Sequence, residues 1–305
     1  MLKHAMIEFA AVTDVGRVRN ENQDRWFADA ELGLFVVADG LGGHAAGALA
    51  AQLAVDILPR LVRRTLSALA TTTTTTMGTW CPTCCPPSPK DRRVGPASGH
   101  HVLMVGERRP TRIENGAEGT AHTPGPSPAS GRGEFIAEQV KVLSDLVYKE
   151  THGQPGIDGT GTTLALALVD SAQVTIVHAG DSRAYLLRQG ELQQVTQDHT
   201  LEQFLVKNHE LSESAVKQHP AAHRLTRYVG MPTALTPDSQ TIAFGAGDLL
   251  LLCSDGLHAQ IDDRAISGIL RSGITIEEMG HALVAASNRA GGRDNVTVLL
   301  ISRTE

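Results

Sequence analysis

Four apolar runs in this 305-residue chain each border an aspartate set among glycines or serines: VADGLGGHAAG (37–47), HAGDSRAY (178–185), LLCSDGLH (251–258) and GGRDNVTV (291–298). No other feature narrows the possible folds as much. A strand end fixes its carboxylate in place, and a neighbouring glycine allows a tight turn with accessible backbone carbonyls. One Asp-Gly step is ordinary turn punctuation. Four, each beside a buried strand, point to carboxylates gathered where strands end. Converging carboxylates repel unless a cation neutralises them. An all-oxygen donor set suits Mg²⁺, Mn²⁺ or Ca²⁺ rather than zinc or copper.

The apolar runs themselves read as strands over 7–12, 34–38, 162–169, 174–178, 184–188, 240–244, 248–253 and 295–302, each short and bounded by turn residues. Residues 186–194 read as a hairpin turning at Gln189-Gly190. Helical spacing of Ala45, Leu49, Leu53, Ile57, Leu61 and Leu66 predicts a long helix from His44 to Leu69 containing Pro59. Helical period resumes at Phe135 and runs to Val147, and shorter helices are expected near 200–208, 212–218, 262–271 and 275–289. Strands cluster and helices come in pairs, which predicts an α+β fold with mainly antiparallel sheets.

Residues 70–133 are a different kind of sequence. This stretch holds nine of the 14 prolines, three of the four cysteines and a threonine homopolymer at 71–76. It carries seven Lys or Arg against four Asp or Glu, a net of +3, so the rest of the chain carries −9 of the total −6. Pro-rich, low-complexity sequence cannot bury enough surface to offset its ordering entropy. It is read as a disordered insertion into one domain spanning 1–305, either a regulatory linker or a translated frameshift. Cys81, Cys84 and Cys85 with His100, His101 and His122 supply zinc-type donors but no second paired motif, so idle surface thiols are the expectation.

Composition excludes several classes. No run of about 18 apolar residues exists, so no membrane insertion is expected. The start, MLKHAMIEFAAV, lacks a secretory pattern, which makes the cytoplasm the expected location. Net acidity and only 4% aromatics argue against a nucleic-acid partner.

The motifs then fall in a known order: GRVRNENQD at 16–24, ADGLGGHAAG at 38–47, GTGTTL at 159–164, AGDSRAY at 179–185, QDHT at 197–200, HP at 219–220, LTRYVG at 225–230, CSDGL at 253–257 and GGRDN at 291–295. Together they resemble the metal-dependent Ser/Thr protein phosphatases of type 2C (PPM) in their compact bacterial form. The resemblance runs from Ala11 to Ile301, and removing 70–133 leaves 241 residues for the catalytic domain.

That resemblance implies a four-layer α-β-β-α sandwich, two antiparallel sheets flanked by helices, with a site at one end. It implies two core Mn²⁺ or Mg²⁺ ions and a weaker third. Asp39 matches the carboxylate bridging the core ions, and Gly40 offers its backbone carbonyl to the second. Asp255 and Asp294 match ligands of the first ion, Asp24 a carboxylate holding water on the second, and Asp181 a ligand of the third. Arg19 matches the phosphate-binding arginine, whose planar fork suits a phosphoryl group. The implied reaction is hydrolysis of phosphoserine and phosphothreonine by direct attack of an ion-bridging hydroxide, with Arg19 and Asp39 as the catalytic residues. The implied partners are phosphorylated proteins, above all a Ser/Thr kinase and its targets. A non-catalytic phosphoprotein-binding regulator of the same fold is the rival class.

The residues also carry bland alternatives. Asp181 and Arg183 could be a simple i, i+2 charge pair. His44, His178, His199, His219 and His223 suit capping, packing or hydrogen bonding better than ligation of oxygen-preferring ions, and Cys253 reads as a buried core residue. Residues 198–230 are expected to form a flap that selects protein substrates. Gln23 stands where many relatives place glutamate, so weaker ion binding is expected. Leu41 stands where eukaryotic relatives carry a histidine proposed as general acid, and leucine cannot donate a proton.

Overall fold

The computed structural model describes residues 7–42, 44–74, 93–94, 104–107, 128–154, 157–208, 221 and 223–304. Its strands are β1 (Ile7–Asp14), β2 (Arg25–Asp29), β3 (Leu34–Ala38), β4 (Gly40–Leu41), β5 (Arg93–Val94), β6 (Met104–Glu107) and β7 (Gly161–Thr162). These are followed by β8 (Leu164–Val169), β9 (Gln173–Ala179), β10 (Arg183–Arg188), β11 (Glu191–Gln194), β12 (Asp238–Ala243), β13 (Leu249–Cys253) and β14 (Val296–Arg303). One six-stranded sheet has the order β11-β10-β13-β14-β1-β6 and the other β12-β9-β8-β3-β2-β5. All their pairings are antiparallel.

The strands read as unbroken apolar runs because both faces of each sheet are covered. In β3, Phe35 and Val37 join Phe9, Trp26, Leu250, Leu252, Leu299 and Ile301 in the layer between the sheets. Leu34 and Val36 face the opposite way, onto helices α1 (His44–Thr74) and α2 (Pro128–Thr151). Likewise Leu249, Leu251 and Cys253 of β13 pack with Leu283 and Val284 of the helix Ile276–Arg289. The period-2 alternation of the pleat is present, but both halves of it are hydrophobic.

Helix α1 buries Ala50, Ala54, Leu58 and Val62, a four-residue spacing whose small members let it lie close on the sheet. Pro59 sits inside it, and the helix continues through the lost hydrogen bond. The helix Ile276–Arg289 starts from a capping box of Thr275 and Glu278. The Gln189-Gly190 turn has φ of 52° and 82°, as a two-residue hairpin of type I′ requires.

Inside the stretch read as an insertion, α1 runs on to Thr74, β5 and β6 each pair with the edge of a different sheet, and α2 begins at Pro128. The remainder of 70–133, with its cysteines and histidines, lies outside the described residues, as do the helix expected at 212–218, His219 and the His44 side chain. Among the described residues no helix is long and apolar enough to cross a membrane.

Register alone puts the acids at one end. Arg25 pairs with Ala38, so Asp24 and Asp39 flank the same rung. Leu164 pairs with Ala179, just before Asp181. Arg183 pairs with Cys253, which pairs with Val298, so Asp181, Asp255 and Asp294 leave the other sheet at its corresponding end.

Leu250 is fully buried between the sheets. Leu250→Ala is expected to lower unfolding free energy by about 3 kcal/mol, read as an earlier urea midpoint at unchanged slope.

Candidate active site

Asp39 follows β3 and is held by its backbone. Its N–H donates to Thr163 Oγ1 at 3.1 Å, and its carbonyl accepts from Thr163 N–H and Thr162 Oγ1, both at 2.8 Å. The next residue, Gly40, lies so close to the first turn of α1 that a Cβ there would sit 2.2 Å from the Gly47 carbonyl oxygen. Only glycine fits, and the close approach brings the start of α1 to the acids.

Asp255 opens the four-residue helix Asp255–His258. A Cβ on Gly256 would fall 1.9 Å from the Asn295 carbonyl oxygen, so glycine lets this turn rest on the chain beside Asp294. Asp24 precedes β2 and is buried. Its Oδ2 accepts from Ser254 Oγ at 2.7 Å, while Ser254 Oγ also accepts from Thr297 N–H at 3.0 Å. Thr297, Thr13 and Asn22 continue the chain of hydrogen bonds back to the Asp24 N–H. These hydrogen bonds fix the direction of the Asp24 carboxyl group.

The carboxylates raise one another's affinity for protons. Desolvation pushes Asp39 well above the ordinary carboxylate range, and Asp24, Asp255, Asp181 and Asp294 add repulsion. Asp24 is pushed up to about 7 by burial, against the Ser254 and Thr297 bonds that lower it, with Asp255 and Asp294 raising it further. Asp181 is pushed up to about 7 by burial and then by Asp255 and Asp198. Asp255 is raised by burial and by Asp294, and its bond with Asp39 opposes this.

The five sequence-selected aspartates thus share one electrostatic neighbourhood. Arg19 joins them, its guanidinium 2.7 Å from Asp294 Oδ2 and its side chain half exposed at the mouth of the site. Buried Asp24 Oδ1 and Asp255 Oδ1 have no hydrogen-bond partner. Orphaned carboxylate oxygens amid like charges are costly unless a cation completes them. The donor set is oxygen throughout, and it fits Mg²⁺ or Mn²⁺.

Arg183 does not pair with Asp181. Its guanidinium forks onto Asp198, Nε to Oδ1 at 2.8 Å and the terminal nitrogen to Oδ2 at 2.7 Å, and it also donates to Tyr185 Oη. The simple charge-pair explanation of Asp181 fails on this geometry. Cys253 is buried, and burial pushes its thiol up to about 12, which removes it as a nucleophile.

His178, His199 and Asp238 are the described residues whose ligating atoms come within 4.8 Å of one another as a set of three. They make a poor ion site. The Gly180 N–H donates to His199 Nδ1 at 3.2 Å, so the ring hydrogen sits on Nε2, which faces Asp238 Oδ2 at 3.2 Å. On His199 no lone pair then remains for a metal. The two imidazoles instead stack at 4.5 Å, and burial followed by the neighbouring ring pushes His199 down to about 4. His223 is exposed.

Sequence reading missed the supporting groups: Thr163, Ser254, Thr297 and His258. Each lies within two residues of a singled-out aspartate or in a quoted motif, yet nothing local marks a hydroxyl or imidazole that acts across the fold. Asn295 was visible only as part of GGRDN. It accepts from Gln23 N–H at 2.8 Å and donates to the Val15 and Glu21 carbonyls, which locks the Arg19 loop to β14.

The sequence matches the protein phosphatase 2C family over residues 17–279, and the chain belongs to that family. It is 28% identical to the serine/threonine phosphatase Stp of Listeria welshimeri over 294 residues, 95% of this chain and 94% of that one. It is 31% identical over 299 residues to the serine/threonine protein phosphatase PstP of Mycobacterium tuberculosis, covering 97% of this chain but 45% of that longer protein. A crystal structure of the PstP catalytic domain in complex with two manganese ions aligns with a TM-score of 0.62 at 28% identity, covering 99% of this chain and 100% of that one.

Asp24 holds its proton to about pH 7 in the folded chain but has an ordinary value of 3.8. Its folded pKa is raised, so unfolding is favoured as pH climbs between those values. In chelator, the melting temperature of the wild type is expected to fall relative to Asp24→Asn as pH goes from about 4.5 to 7.5. Saturating Mn²⁺ should flatten that difference, as differential scanning fluorimetry would read.

Proposed function

We propose that this chain hydrolyses phosphoserine and phosphothreonine on proteins, using Mn²⁺ or Mg²⁺. The observation that carries the reading is the set of Asp24, Asp39, Asp181, Asp255 and Asp294 with two orphaned buried oxygens and Arg19 alongside. Asp39, Asp255 and Asp294 would hold the core pair of ions, with Asp24 and the Gly40 carbonyl toward the second and Asp181 toward a weaker third. When bound, such ions supply Lewis acidity, making water nucleophilic at neutral pH and offsetting charge on phosphoryl oxygens.

The chain's own residues do the rest. Arg19 orients the phosphoryl group with a planar fork that lysine lacks. Asp24 accepts a proton-bearing neighbour through its free Oδ1, held in place by Ser254. No side-chain nucleophile is needed: water adds to phosphorus in line as the ester P–O bond breaks, and in net terms one proton passes from the water to the leaving serine or threonine oxygen, giving free alcohol and phosphate. Leu41 offers no proton to that oxygen. The names of the Listeria and Mycobacterium relatives support serine and threonine specificity. A cytoplasmic or membrane-anchored Ser/Thr kinase and its targets are the expected substrates. Residues 198–230, expected to form a flap, would select among them, and exchanging this segment for a relative's should change peptide preference.

With Mn²⁺ the protein is expected to hydrolyse p-nitrophenyl phosphate and phosphothreonine peptides, and to stop in EDTA. Asp39→Asn should cut kcat at least ~100-fold, and Arg19→Ala should raise KM about tenfold or more. Turnover that resists chelation, or full activity of Asp39→Asn, would sink the reading. Phosphopeptide binding without turnover in any divalent ion would favour the regulator.

A further inference from the structure

The turn between β9 and β10 is pinned at every residue. Gly180 gives its N–H to His199 Nδ1 at 3.2 Å, and its carbonyl accepts the His199 N–H at 2.9 Å. The Asp181 carbonyl accepts from His258 Nε2 at 3.0 Å. Ser182 Oγ lies 2.6 Å from Thr163 Oγ1, the hydroxyl that also receives the Asp39 N–H. The Asp181 carboxylate, by contrast, forms no ion pair with any cationic side chain of the described residues, because Arg183 is committed to Asp198.

A backbone this thoroughly tied, with a carboxylate that no cationic side chain of the described residues pairs, presents that carboxylate in one direction. We infer that His258 and His199 are positioning residues that hold Asp181 ready for a divalent cation separate from the core pair. The inference rests on the reading of Asp181 as a ligand and adds what makes it one.

The geometry assigns each ring its part. A carbonyl only accepts, so His258 Nε2 carries the hydrogen and acts as donor to the Asp181 peptide. A backbone N–H only donates, so His199 Nδ1 is the acceptor for Gly180. His258 ends the same short helix that Asp255 begins, so one rigid turn carries a core carboxylate and the support of the outer one. Partners that orient ligating carboxylates set metal affinity by about 10- to 100-fold.

The test counts bound Mn²⁺ on the full chain from the loss of the free-ion electron paramagnetic resonance signal. The wild type is expected to take up two ions tightly and one weakly, and Asp181→Asn to lose the weak one. His258→Leu should weaken the weak site about tenfold or more while leaving the tight pair in place. His258→Gln, whose amide can make the same donation, should restore it. His199→Asn, which can accept the Gly180 N–H, should bind like the wild type, and His199→Leu should resemble His258→Leu. A His258→Leu protein that titrates like the wild type, or that loses all ions alike, would overturn the inference. A wild type without the weak ion, or an Asp181→Asn protein that keeps it, would instead refute the ligand role of Asp181.

Discussion

Mutual repulsion among Asp24, Asp39, Asp181, Asp255 and Asp294 is the constraint on which the rest of the structure depends. Five carboxylates do not gather in a desolvated place unless the scaffold forces them there. Here the force comes from two sheets whose strand ends meet at one edge of the sandwich. The cost is borne by the core: Trp26, Phe35, Leu250, Leu252, Leu299 and their neighbours fill the layer between the sheets, and apolar burial of that kind is the largest favourable term in folding. The hydroxyl and amide chain through Ser254, Thr297, Thr13 and Asn22 then fixes direction rather than charge.

Glycine and histidine complete the arrangement by different means. Gly40 and Gly256 allow backbone to approach backbone where a methyl group would collide. His199 and His258 add hydrogen bonds at neutral pH without adding charge, because burial holds both near 4. A lysine or arginine in either place would bring a competing positive charge to the acids.

Much of this was legible in the sequence. The continuous apolar runs located most of the long strands, though not β2, and Asp-Gly or Gly-Asp steps at strand ends marked Asp39, Asp181 and Asp255, while Asp24 was marked only by the family resemblance. The hairpin at Gln189-Gly190 and the boundary of β3 came directly from local chemistry. What could not be read was anything set by distance across the fold. The short strand Arg93–Val94 carries no periodicity, and Met104–Glu107 shows only the end of a brief apolar run at 101–105; sheet edges give both their partners. Asp198 took Arg183 although Asp181 is nearer in sequence, because a bidentate fork needs a carboxylate in the right plane. Nothing local in CSDGL marks Ser254, whose hydroxyl orients Asp24 from across the fold.

Helix α1 starts beside Gly40, where the acids are, and runs for 31 residues to Thr74. At 1.5 Å per residue that is a path of about 45 Å. The chain therefore leaves α1 far from the chemistry, and extra length in a connection costs little in closure entropy. Two short pieces of that connection, β5 and β6, are tied to the sheets through β2 and β1, so a change of length is tolerated best outside those pairings, away from the strand ends that carry the acids.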